Sequence, residues 1–495
     1  MMTVPDAEAI YDAGKEAVVG EWLRMDAHIH SLEQEVLSLS TRLNLSEERV
    51  RHLEGQIAKT SRNSSKPPSS DGFKKPAPKS LRKKGEKKSG GQPGHKGHTL
   101  KMADQPDHIE VHHVDLCELC HCSLADQKPE SVQKRQVHDL PPKRLIVTEH
   151  QIETKTCTCG QVNKAAFPEG VNAPVQYGEG IKAAAVYVKN YQFLPYKRAC
   201  ELLADLLGCP MSEGTLANIL SQCDELTQSP VAQIKEIIIQ APVVHFDETG
   251  SRVEGKRRWL HTASTENATY YDIHFKRGSE AMDEIGILPK FTGCAIHDFW
   301  ISYYKYACSH SLCNAHHLRE LTFAHEQYEQ DWAERMIDLL REIKDSVDQA
   351  KQAHDHLAEK QIQTFELRFE QILNEGYIES PLPPLPPHAK KKRGRRKKSK
   401  PRNLLERLDK HRKEALAFMY DFNVPFDNNL AERDIRMMKV QQKISGTFRT
   451  EDGAKTFCSI RSYISTARKN AVSAMDALRH LFNDNPFVPT VDTSN

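Results

Sequence analysis

A series of short apolar segments after Pro242 constrains the fold more than any other feature of this chain. The first four segments contain β-branched and aromatic residues, as strands typically do, and the last one is a candidate for a fifth strand. The second and third alternate like a hairpin around Glu266 and Asn267, and a helix near 279–286 precedes the fourth. The predicted strands are residues 243–248, 257–265, 268–275, 293–299 and 310–315. Their order, strand-strand-strand-helix-strand-helix-strand, predicts an α/β domain.

Two of the predicted strands end in carboxylates, Asp247 and Asp298. If the two strands are parallel neighbours, these carboxylates lie close together and repel each other unless a cation joins them, for which Mg²⁺ or Mn²⁺ is the natural choice. A third carboxylate would complete a two-metal site for in-line displacement at phosphorus. Glu432 fits this role if its helix lies across the strand ends.

The segment PFDNNLAERDIRMMK, residues 425–439, predicts a short helix that is dense in charge. The plainest interpretation is a solvated face with ion pairs one turn apart, in which Asn429 and Glu432 have the spacing of a capping box. The functional alternative starts from geometry, because a residue seven positions after Glu432 returns to nearly the same face. That face would carry a metal-binding acid followed by cations that suit a phosphodiester backbone. The cations are Arg433, Arg436 and Lys439.

Residues 22–57 carry a heptad pattern over five repeats, with one polar residue in the a and d positions. This pattern predicts a coiled coil that joins copies of the chain. The alternative is a long amphipathic helix that packs within its own chain. The a and d residues are Trp22, Met25, Ile29, Leu32, Val36, Leu39, Leu43, Ser46, Val50, Leu53 and Ile57.

The charge of the chain is distributed unevenly. The net charge is +2 over 495 residues, yet residues 60–101 and 381–402 each carry about +10, which leaves the remainder strongly acidic. Two cationic segments on an acidic body predict contact with a polyanion. The first segment is rich in Pro, Gly and Ser and poor in large apolar residues, so we expect a disordered basic tether.

Paired cysteines between residues 104 and 168 predict a structural zinc site. A Cys-x-x-Cys pair and a second pair with one intervening residue supply four thiolates, the number that a closed tetrahedral site requires. The expected ligands of one Zn²⁺ are Cys117, Cys120, Cys157 and Cys159. Other residues that could substitute are Cys122, His121, His112 and His113. The alternative is a set of reduced, buried cysteines without metal.

Residues 180–224 are predicted to be helical, with a helix that ends at Gly208 and a second helix capped by Ser212. The spacing is that of a helix-turn-helix, although an ordinary helical hairpin has the same pattern. The first residues lack an apolar run behind a basic start, and no segment approaches the ~20 apolar residues of a membrane span. We therefore expect a cytoplasmic protein.

Taken together and in this order, several motifs resemble the insertion sequence 66 family of DDE transposases over nearly the whole chain. The paired cysteines belong to this set. The other motifs are NSSKPPSSDG (63–72), GGQPGHKGHTL (90–100), HFDET (245–249), HDFWISY (297–303), CNAHHLREL (313–321) and DNNLAERDIR (427–436). The sequence departs from the family pattern in two places, since Phe299 and Trp300 follow the second acid where Gly-Tyr is usual, and the second cysteine pair is more tightly spaced.

The resemblance implies a bacterial, nucleoid-associated protein with an RNase H-like catalytic core and a helical insertion before the last acid. It implies Asp247, Asp298 and Glu432 as the catalytic triad, which would hold two Mg²⁺ or Mn²⁺ ions. Cys313 and His316 are similar to a Cys-x-x-His element that follows the second acid in several such families. That pair is either a metal site or, more plainly, a buried cysteine beside a histidine that bonds backbone or phosphate. The residues expected to contact DNA are Lys439, Arg436, Arg433, His316 and Arg319.

The predicted function is that of a transposase that binds terminal inverted repeats, hydrolyses phosphodiesters and joins the 3′-OH ends to target DNA. Partners would be element and target DNA, further copies of the chain and accessory proteins of the same element. The alternatives are a catalytically silent DNA-bridging relative and a metal-dependent nuclease without strand transfer. The expected divisions are 1–58 coiled coil, 59–103 basic linker, 104–168 zinc domain, 169–240 helical DNA-binding region, 241–482 catalytic domain with an insertion at about 318–424, and 483–495 tail.

Overall fold

The computed structural model describes residues 4–64, 102–139, 145–382 and 398–489. The described residues form two compact units. The first unit draws on residues within Met1–Pro78, Tyr177–Ala199 and Ser212–Asn495, and the second on residues within Lys79–Gln176 and Cys200–Met211. Most of the basic segment 60–101 and most of the Pro-rich segment 381–402 lie outside the described residues.

The helices and strands follow the predicted order closely. The helices are α1 (Val4–Asp12), α2 (Lys15–Ile57), α3 (Glu179–Val186), α4 (Tyr196–Leu207), α5 (Glu213–Gln240), α6 (Ser279–Ile285), α7 (Asn314–Tyr328), α8 (Asp331–Ala350), α9 (Glu359–Glu379), α10 (Lys400–Lys410), α11 (Arg412–Ala415), α12 (Ala417–Tyr420), α13 (Asn429–Ser445), α14 (Glu451–Lys469) and α15 (Ala474–Phe482). The strands are β1 (Thr154–Thr156), β2 (Val162–Lys164), β3 (Val243–Val253), β4 (Lys256–Ser264), β5 (Thr269–His274), β6 (Cys294–His297) and β7 (Ser309–Leu312). A π-helical turn, Tyr187–Tyr191, follows α3, and a 3₁₀ turn, Ile301–Lys305, follows β6.

The larger sheet has five strands in the order β5-β4-β3-β6-β7. The chain starts at the central strand, forms two antiparallel pairs outward through β4 and β5, and then adds β6 and β7 parallel to β3 on its other side. All five predicted strands are therefore present, and the hairpin between β4 and β5 turns at the expected place. This order puts β3 and β6, which carry or precede the two predicted acids, side by side.

The two faces of the sheet pack against different helices, because successive strand residues point to opposite sides. Val244 and Phe246 of β3 share a core with Ile234 and Ile238 of α5 and with residues of α6. On the other face, Leu260 and other strand residues pack with α13 and α14. The C-terminal half of α5, which lies within the predicted region 169–240, is thus a layer of the α/β domain.

The free edge of β5 is covered by α14. The amides of Thr269 and Tyr271 donate to the hydroxyls of Thr466 (3.0 Å) and Ser462 (2.8 Å), which lie four residues apart on one face of the helix. Both hydroxyl-bearing residues are fully buried. Side chains of a helix thereby pair the backbone groups that an edge strand would otherwise leave open to a partner.

The insertion between β7 and α13 is a helical bundle with its own core. The sequence predicted a helical insertion at about 318–424, and in the structure turns divide this insertion: the chain turns at Glu329, whose φ is +51°, and again between α8 and α9. The turns let α8, α9 and α10 bury their apolar faces against one another around Trp332, Phe369 and Leu405. A long single helix could not bury those faces within one chain.

The predicted coiled-coil segment is the 43-residue helix α2. Its apolar a and d residues are exposed, including Leu32 at 46% and Leu39 at 52%. The C-terminal end of the helix packs within its own chain, since Gly55 lies against Phe323 of α7 and Arg62 pairs with Glu326. Within the described ranges, every helix is too short or too polar to cross a lipid bilayer.

Candidate active site

Asp247 lies in the middle of β3, whereas the sequence placed it at a strand end. The strand continues to Val253 because its antiparallel pairing with β4 persists to that point, while the parallel pairing with β6 stops at His245 and Ile296. Asp247 is two residues beyond that last pair, and Asp298 is two residues beyond Ile296. The two acids therefore occupy matching points just beyond the end of the parallel pairing, Asp247 within β3 and Asp298 directly after β6.

Glu248, next to Asp247, is a buried carboxylate that the sequence analysis did not select. Its Oε1 accepts a hydrogen bond from Arg277 Nε (2.8 Å), and its Oε2 accepts one from the Tyr303 hydroxyl (2.7 Å). Burial raises the pKa of Glu248, and the Arg277 charge and the two hydrogen bonds oppose that rise. The amide of Glu248 donates to Asp247 Oδ1 (2.8 Å), so this acid helps to fix the carboxylate beside it.

Arg277 lies between Glu248, to which it donates a hydrogen bond, and Asp298. Its Nη2 lies 3.8 Å from Asp298 Oδ2, and its guanidinium lies 4.0 Å from the centre of the Trp300 ring and 5.1 Å from that of Trp259. Cation–π contacts of this kind hold a guanidinium in place without neutralising it. Trp300, at the position where the sequence departs from the family pattern, thus has a clear partner.

Glu432 projects from the first turn of α13. The predicted capping box does not form: Asn428 is the N-cap, and its side chain instead donates to Phe246 O (2.7 Å) and accepts from His245 Nδ1 (2.8 Å). These bonds tie the start of the helix to β3 and leave the Glu432 side chain free to face α7. There its two oxygens lie 3.7 Å from His316 Nδ1 and 3.8 Å from Arg319 Nη2.

All three predicted catalytic carboxyl groups have raised pKa values. Burial is the largest cause for each, because it disfavours the charged form. For Asp247 the pKa is well above its usual range, with further contributions from Glu248, Asp298 and Glu432. For Asp298 the pKa is raised to about 6 despite the opposing charges of Arg277 and a second arginine. The acids therefore lie close enough together to repel one another.

This donor set fits hard divalent cations. It offers carboxylate oxygens whose mutual repulsion a cation relieves, and Glu432 Oε1 is buried without a hydrogen-bond partner in the described structure. Among the described residues, the ligand atoms of Cys313, His316 and Glu432 all lie within 4.8 Å of one another. The carboxylate oxygens of the three predicted catalytic acids are not gathered that closely. A site for two ions about 4 Å apart does not require every ligand to lie that close to the others.

Of the predicted DNA-contacting residues, His316 and Arg319 face Glu432, whereas Arg433 and Arg436 are exposed on α13. Lys439 is also exposed and donates to Gly250 O of β3 (2.7 Å). The cations of the helix therefore follow Glu432 along an accessible side.

Asp434 belongs to a different environment on the same helix. Its Oδ2 accepts from Lys469 Nζ (2.6 Å), from the Ser264 hydroxyl (2.8 Å) and from the Thr269 hydroxyl (3.0 Å). This half-buried carboxylate joins α13 to α14 and to the β4–β5 hairpin. Asp434 therefore stabilises the fold. Its angular position on the helix relative to Glu432 does not indicate these contacts, because its partners lie far away in the sequence.

In the second unit, the two predicted cysteine pairs occupy tight turns. Backbone hydrogen bonds from Cys120 and from Cys159 are the largest causes that lower the pKa values of Cys117 and Cys157, respectively. The second pair lies in the turn between β1 and β2, where Cys157 N donates to Gln161 O (2.8 Å). Amides aimed at sulfur favour thiolates, which are the zinc-binding form. Within the described residues the two pairs do not meet as one ligand group, and the zinc site remains a prediction.

The residues that sequence reasoning missed are Glu248, Arg277 and Tyr303. The consecutive acids of HFDET were a signal for Glu248, because a second acid in a buried strand needs partners. No pattern in the sequence indicated Arg277. This residue follows β5, and it lies near the acids because β4 and β5 fold back against β3.

A known protein family matches the region of the chain that contains these residues. The profile of the Transposase IS66 family matches residues 174–456, more than half of the chain, and includes all three predicted catalytic acids. A family of unknown function (DUF6444) matches residues 13–101, which contain all of α2 and the first basic segment. No curated protein matches the chain. From the match over its α/β domain and helical insertion, the chain belongs to the IS66 transposase family.

Proposed function

We propose that this protein is a DDE transposase that cleaves the ends of its element and joins them to target DNA on an RNase H-like core. The observation that carries the proposal is the matching position of Asp247 in β3 and of Asp298 directly after the adjacent parallel strand β6, with Glu432 close enough to raise the pKa of Asp247. The strand order and the helical insertion between the second and third acids support the same fold.

Asp247, Asp298 and Glu432 would hold two Mg²⁺ or Mn²⁺ ions, which activate the attacking water or 3′-OH and stabilise the leaving oxygen. The other residues of the site position these acids. Glu248 and Tyr303 fix the β3 segment, and Arg277 compensates part of the charge near Asp298. Since one acid triad can serve both hydrolysis and transesterification, no covalent protein–DNA intermediate is needed.

DNA would approach along the exposed side of α13. Arg433, Arg436 and Lys439 follow Glu432 on this helix, so a phosphate backbone that reaches the acids can also contact these cations. The hydrogen bond from Lys439 to Gly250 O would then exchange for one to phosphate. The helix-turn-helix-like region and the two basic segments would add affinity for the terminal repeats and the target.

Two further parts of the chain would organise the complex. The exposed a and d residues of α2 would pair with a second copy as a coiled coil and bring two element ends together. Gly55, which packs on Phe323, is in an f position of the heptad, so the helix contacts its own chain from the side opposite the apolar seam. In the second unit, Cys117, Cys120, Cys157 and Cys159 would hold one structural Zn²⁺.

The proposal is tested by incubating the purified protein with labelled fragments of the element ends, a target plasmid and Mg²⁺. A transposase gives nicked ends and joined products, whereas a nuclease gives cleavage without joining and a silent DNA-binding relative gives only a mobility shift. Asp247→Asn serves as the matched control and should bind the ends without cleaving them. Cleavage that survives this substitution would remove the triad from the mechanism.

A further inference from the structure

We propose that Cys313, His316 and Glu432 form a second metal site, specific for Zn²⁺ or a similar soft cation, which withdraws Glu432 from the catalytic triad when it is occupied. A sulfur of Cys313, a ring nitrogen of His316 and a carboxylate oxygen of Glu432 lie within 4.8 Å of one another. The consequence for catalysis rests on the proposed function of Glu432, whereas the binding site itself does not.

The local structure brings these three ligands together from separate elements. Cys313 is the N-cap of α7 and its amide donates to His297 O at the end of β6 (3.1 Å), which fixes the start of the helix. His316 lies one helical turn later on α7, in the Cys-x-x-His spacing that places two ligands on one side. Glu432 enters from the first turn of α13.

The two polar atoms that face each other at this point lack hydrogen-bond partners in the described structure. His316 Nδ1 and Glu432 Oε1 are both buried without a hydrogen-bond partner in the described structure, and they lie 3.7 Å apart, too far for a hydrogen bond. Burial lowers the pKa of His316 to about 4, so its ring is neutral near pH 7. Two unpartnered polar atoms in a buried position are costly unless a cation or a water joins them.

The chemistry of the set favours zinc over magnesium. Sulfur, imidazole nitrogen and carboxylate oxygen together are typical zinc ligands, whereas Mg²⁺ prefers oxygen alone. With usual zinc–ligand bond lengths, two ligands of a tetrahedral ion lie about 3.5 Å apart, close to the 3.7 Å between His316 Nδ1 and Glu432 Oε1. Three protein ligands leave the fourth position for water.

Two features oppose an ion here and set its affinity. Arg319 Nη2 lies 3.8 Å from Glu432 Oε2, but this is the oxygen that does not face His316. Cys313 Sγ accepts a hydrogen bond from Asn428 N (3.2 Å), and burial raises the pKa of the thiol to about 12. Zinc binding therefore converts a thiol to a zinc-bound thiolate and releases one proton to solvent, so affinity rises with pH.

The test is metal binding to the full-length protein, measured by equilibrium dialysis with Zn²⁺ and by absorbance with Co²⁺. Cys313→Ser should bind one Zn²⁺ fewer per chain than wild type and should lose part of the thiolate-to-Co²⁺ band. Cys308→Ser removes another buried thiol five residues earlier and should bind as wild type does. Equal zinc content in wild type and Cys313→Ser would overturn the site, as would the same loss in both variants. If Cys313→Ser does not fold, His316→Gln carries the same test.

A second measurement addresses the link to catalysis. Micromolar Zn²⁺ should inhibit Mg²⁺-dependent cleavage by wild type. With each protein's cleavage rate expressed as a fraction of its own zinc-free rate, the Zn²⁺ concentration for half inhibition should be at least about tenfold higher for His316→Gln than for wild type. Inhibition that is equally sensitive in both proteins would overturn the withdrawal of Glu432 while the dialysis result stands. A wild-type protein that binds the extra zinc but never cleaves DNA would refute the proposed function and leave the site intact.

Discussion

Arg277 lies near Asp298, and Arg319 lies near Glu432, without forming a hydrogen bond to that acid. The distances are 3.8 Å to Asp298 Oδ2 and 3.8 Å to Glu432 Oε2, beyond the usual reach of an N–H donor. The arginines oppose the rise in the pKa values of both acids but do not cancel it. The site therefore keeps uncompensated carboxylates close together, an arrangement that costs stability and is suited to binding a cation.

The raised pKa of Asp298 predicts that ionisation of this acid lowers the free energy of unfolding. Its pKa is raised to about 6 in the folded protein, chiefly by burial, so between about pH 4 and 6 the folded state binds more protons than the unfolded state. The free energy of unfolding should therefore fall as the pH rises through this window. Asp298→Asn mimics the neutral acid. In EDTA its melting temperature should equal that of wild type near pH 4 and exceed it near pH 7. If the difference in melting temperature between Asp298→Asn and wild type is the same at every pH from 4 to 7, the prediction is contradicted.

Glu432→Gln tests the third acid. The substitution keeps shape but removes the charge, so cleavage should fall by about a thousandfold or more, as for other groups that act within a catalytic unit. Binding of end fragments should be unchanged or slightly tighter. Because the capping box does not form, the melting temperature should not drop by the amount that loss of a cap produces. A gel assay of cleavage per folded molecule measures the effect.

The control for this substitution must be an acid whose bonds do not hold the fold together. Asp434, on the same helix, is unsuitable because Asp434→Asn weakens its ion pair with Lys469 and should lower stability. Glu451 is the better match, since it is an exposed acid in the first turn of α14 and its ion pairs with Lys455 (3.4 Å) and Arg258 (3.9 Å) are long. Glu451→Gln should retain near-normal cleavage, and a large loss there would show that removal of any nearby charge disables the protein.

At the scale of elements, the sequence predicted the strands of the larger sheet because each has a period-2 or buried apolar pattern with clear boundaries. It failed where the outcome depends on long-range partners. The extension of β3 to Val253 depends on pairing with β4, and the break at Glu329 depends on the packing of α7 against α8. Likewise Asn428, adjacent to the expected cap Asn429, bonds to β3, a choice that no local pattern encodes.

The cover of the β5 edge by α14 gives a prediction at this scale. Ser462→Ala and Thr466→Val each leave a buried amide of β5 without an acceptor, which costs about 1–3 kcal/mol of unfolding free energy per site. Denaturant unfolding should show the loss. Ser309→Ala, an exposed hydroxyl on the opposite edge strand β7, should change stability by less than about 0.5 kcal/mol. Equal effects at the three positions would mean that the hydroxyls do not support the edge.

At the scale of the whole molecule, the uneven charge predicts how DNA binding depends on salt. Replacing four cations of the second basic segment by Gln should flatten the slope of log affinity against log salt by up to about 3.6, about 0.9 for each phosphate that the protein no longer neutralises. These residues are Lys390, Lys391, Lys392 and Arg393. Glutamine at two exposed lysines of the helical insertion, Lys351 and Lys360, should leave the slope unchanged. Filter binding at several salt concentrations measures it, and an unaltered slope would make the segment a tether only.

We expect the assembly of copies of the chain to depend on α2, whose apolar a and d side chains remain exposed in the single chain. Exposed leucines along one seam of a 43-residue helix are stable in water only if a partner covers them. The contact of Gly55 with Phe323 occupies the opposite side of the helix, so packing within the chain and pairing between chains do not compete.

Leu32→Glu with Leu39→Glu should therefore reduce the oligomer to smaller species in sedimentation equilibrium, because two buried layers of the seam become charged. Gln34→Glu with Thr41→Glu adds the same charge at f positions and should leave the mass unchanged. The double d-position variant should still bind single element ends, since the acids and the cations of α13 lie in the α/β domain, but it should no longer pair two ends. If its mass equals that of wild type, copies of the chain associate through another surface and the seam of α2 serves a different partner.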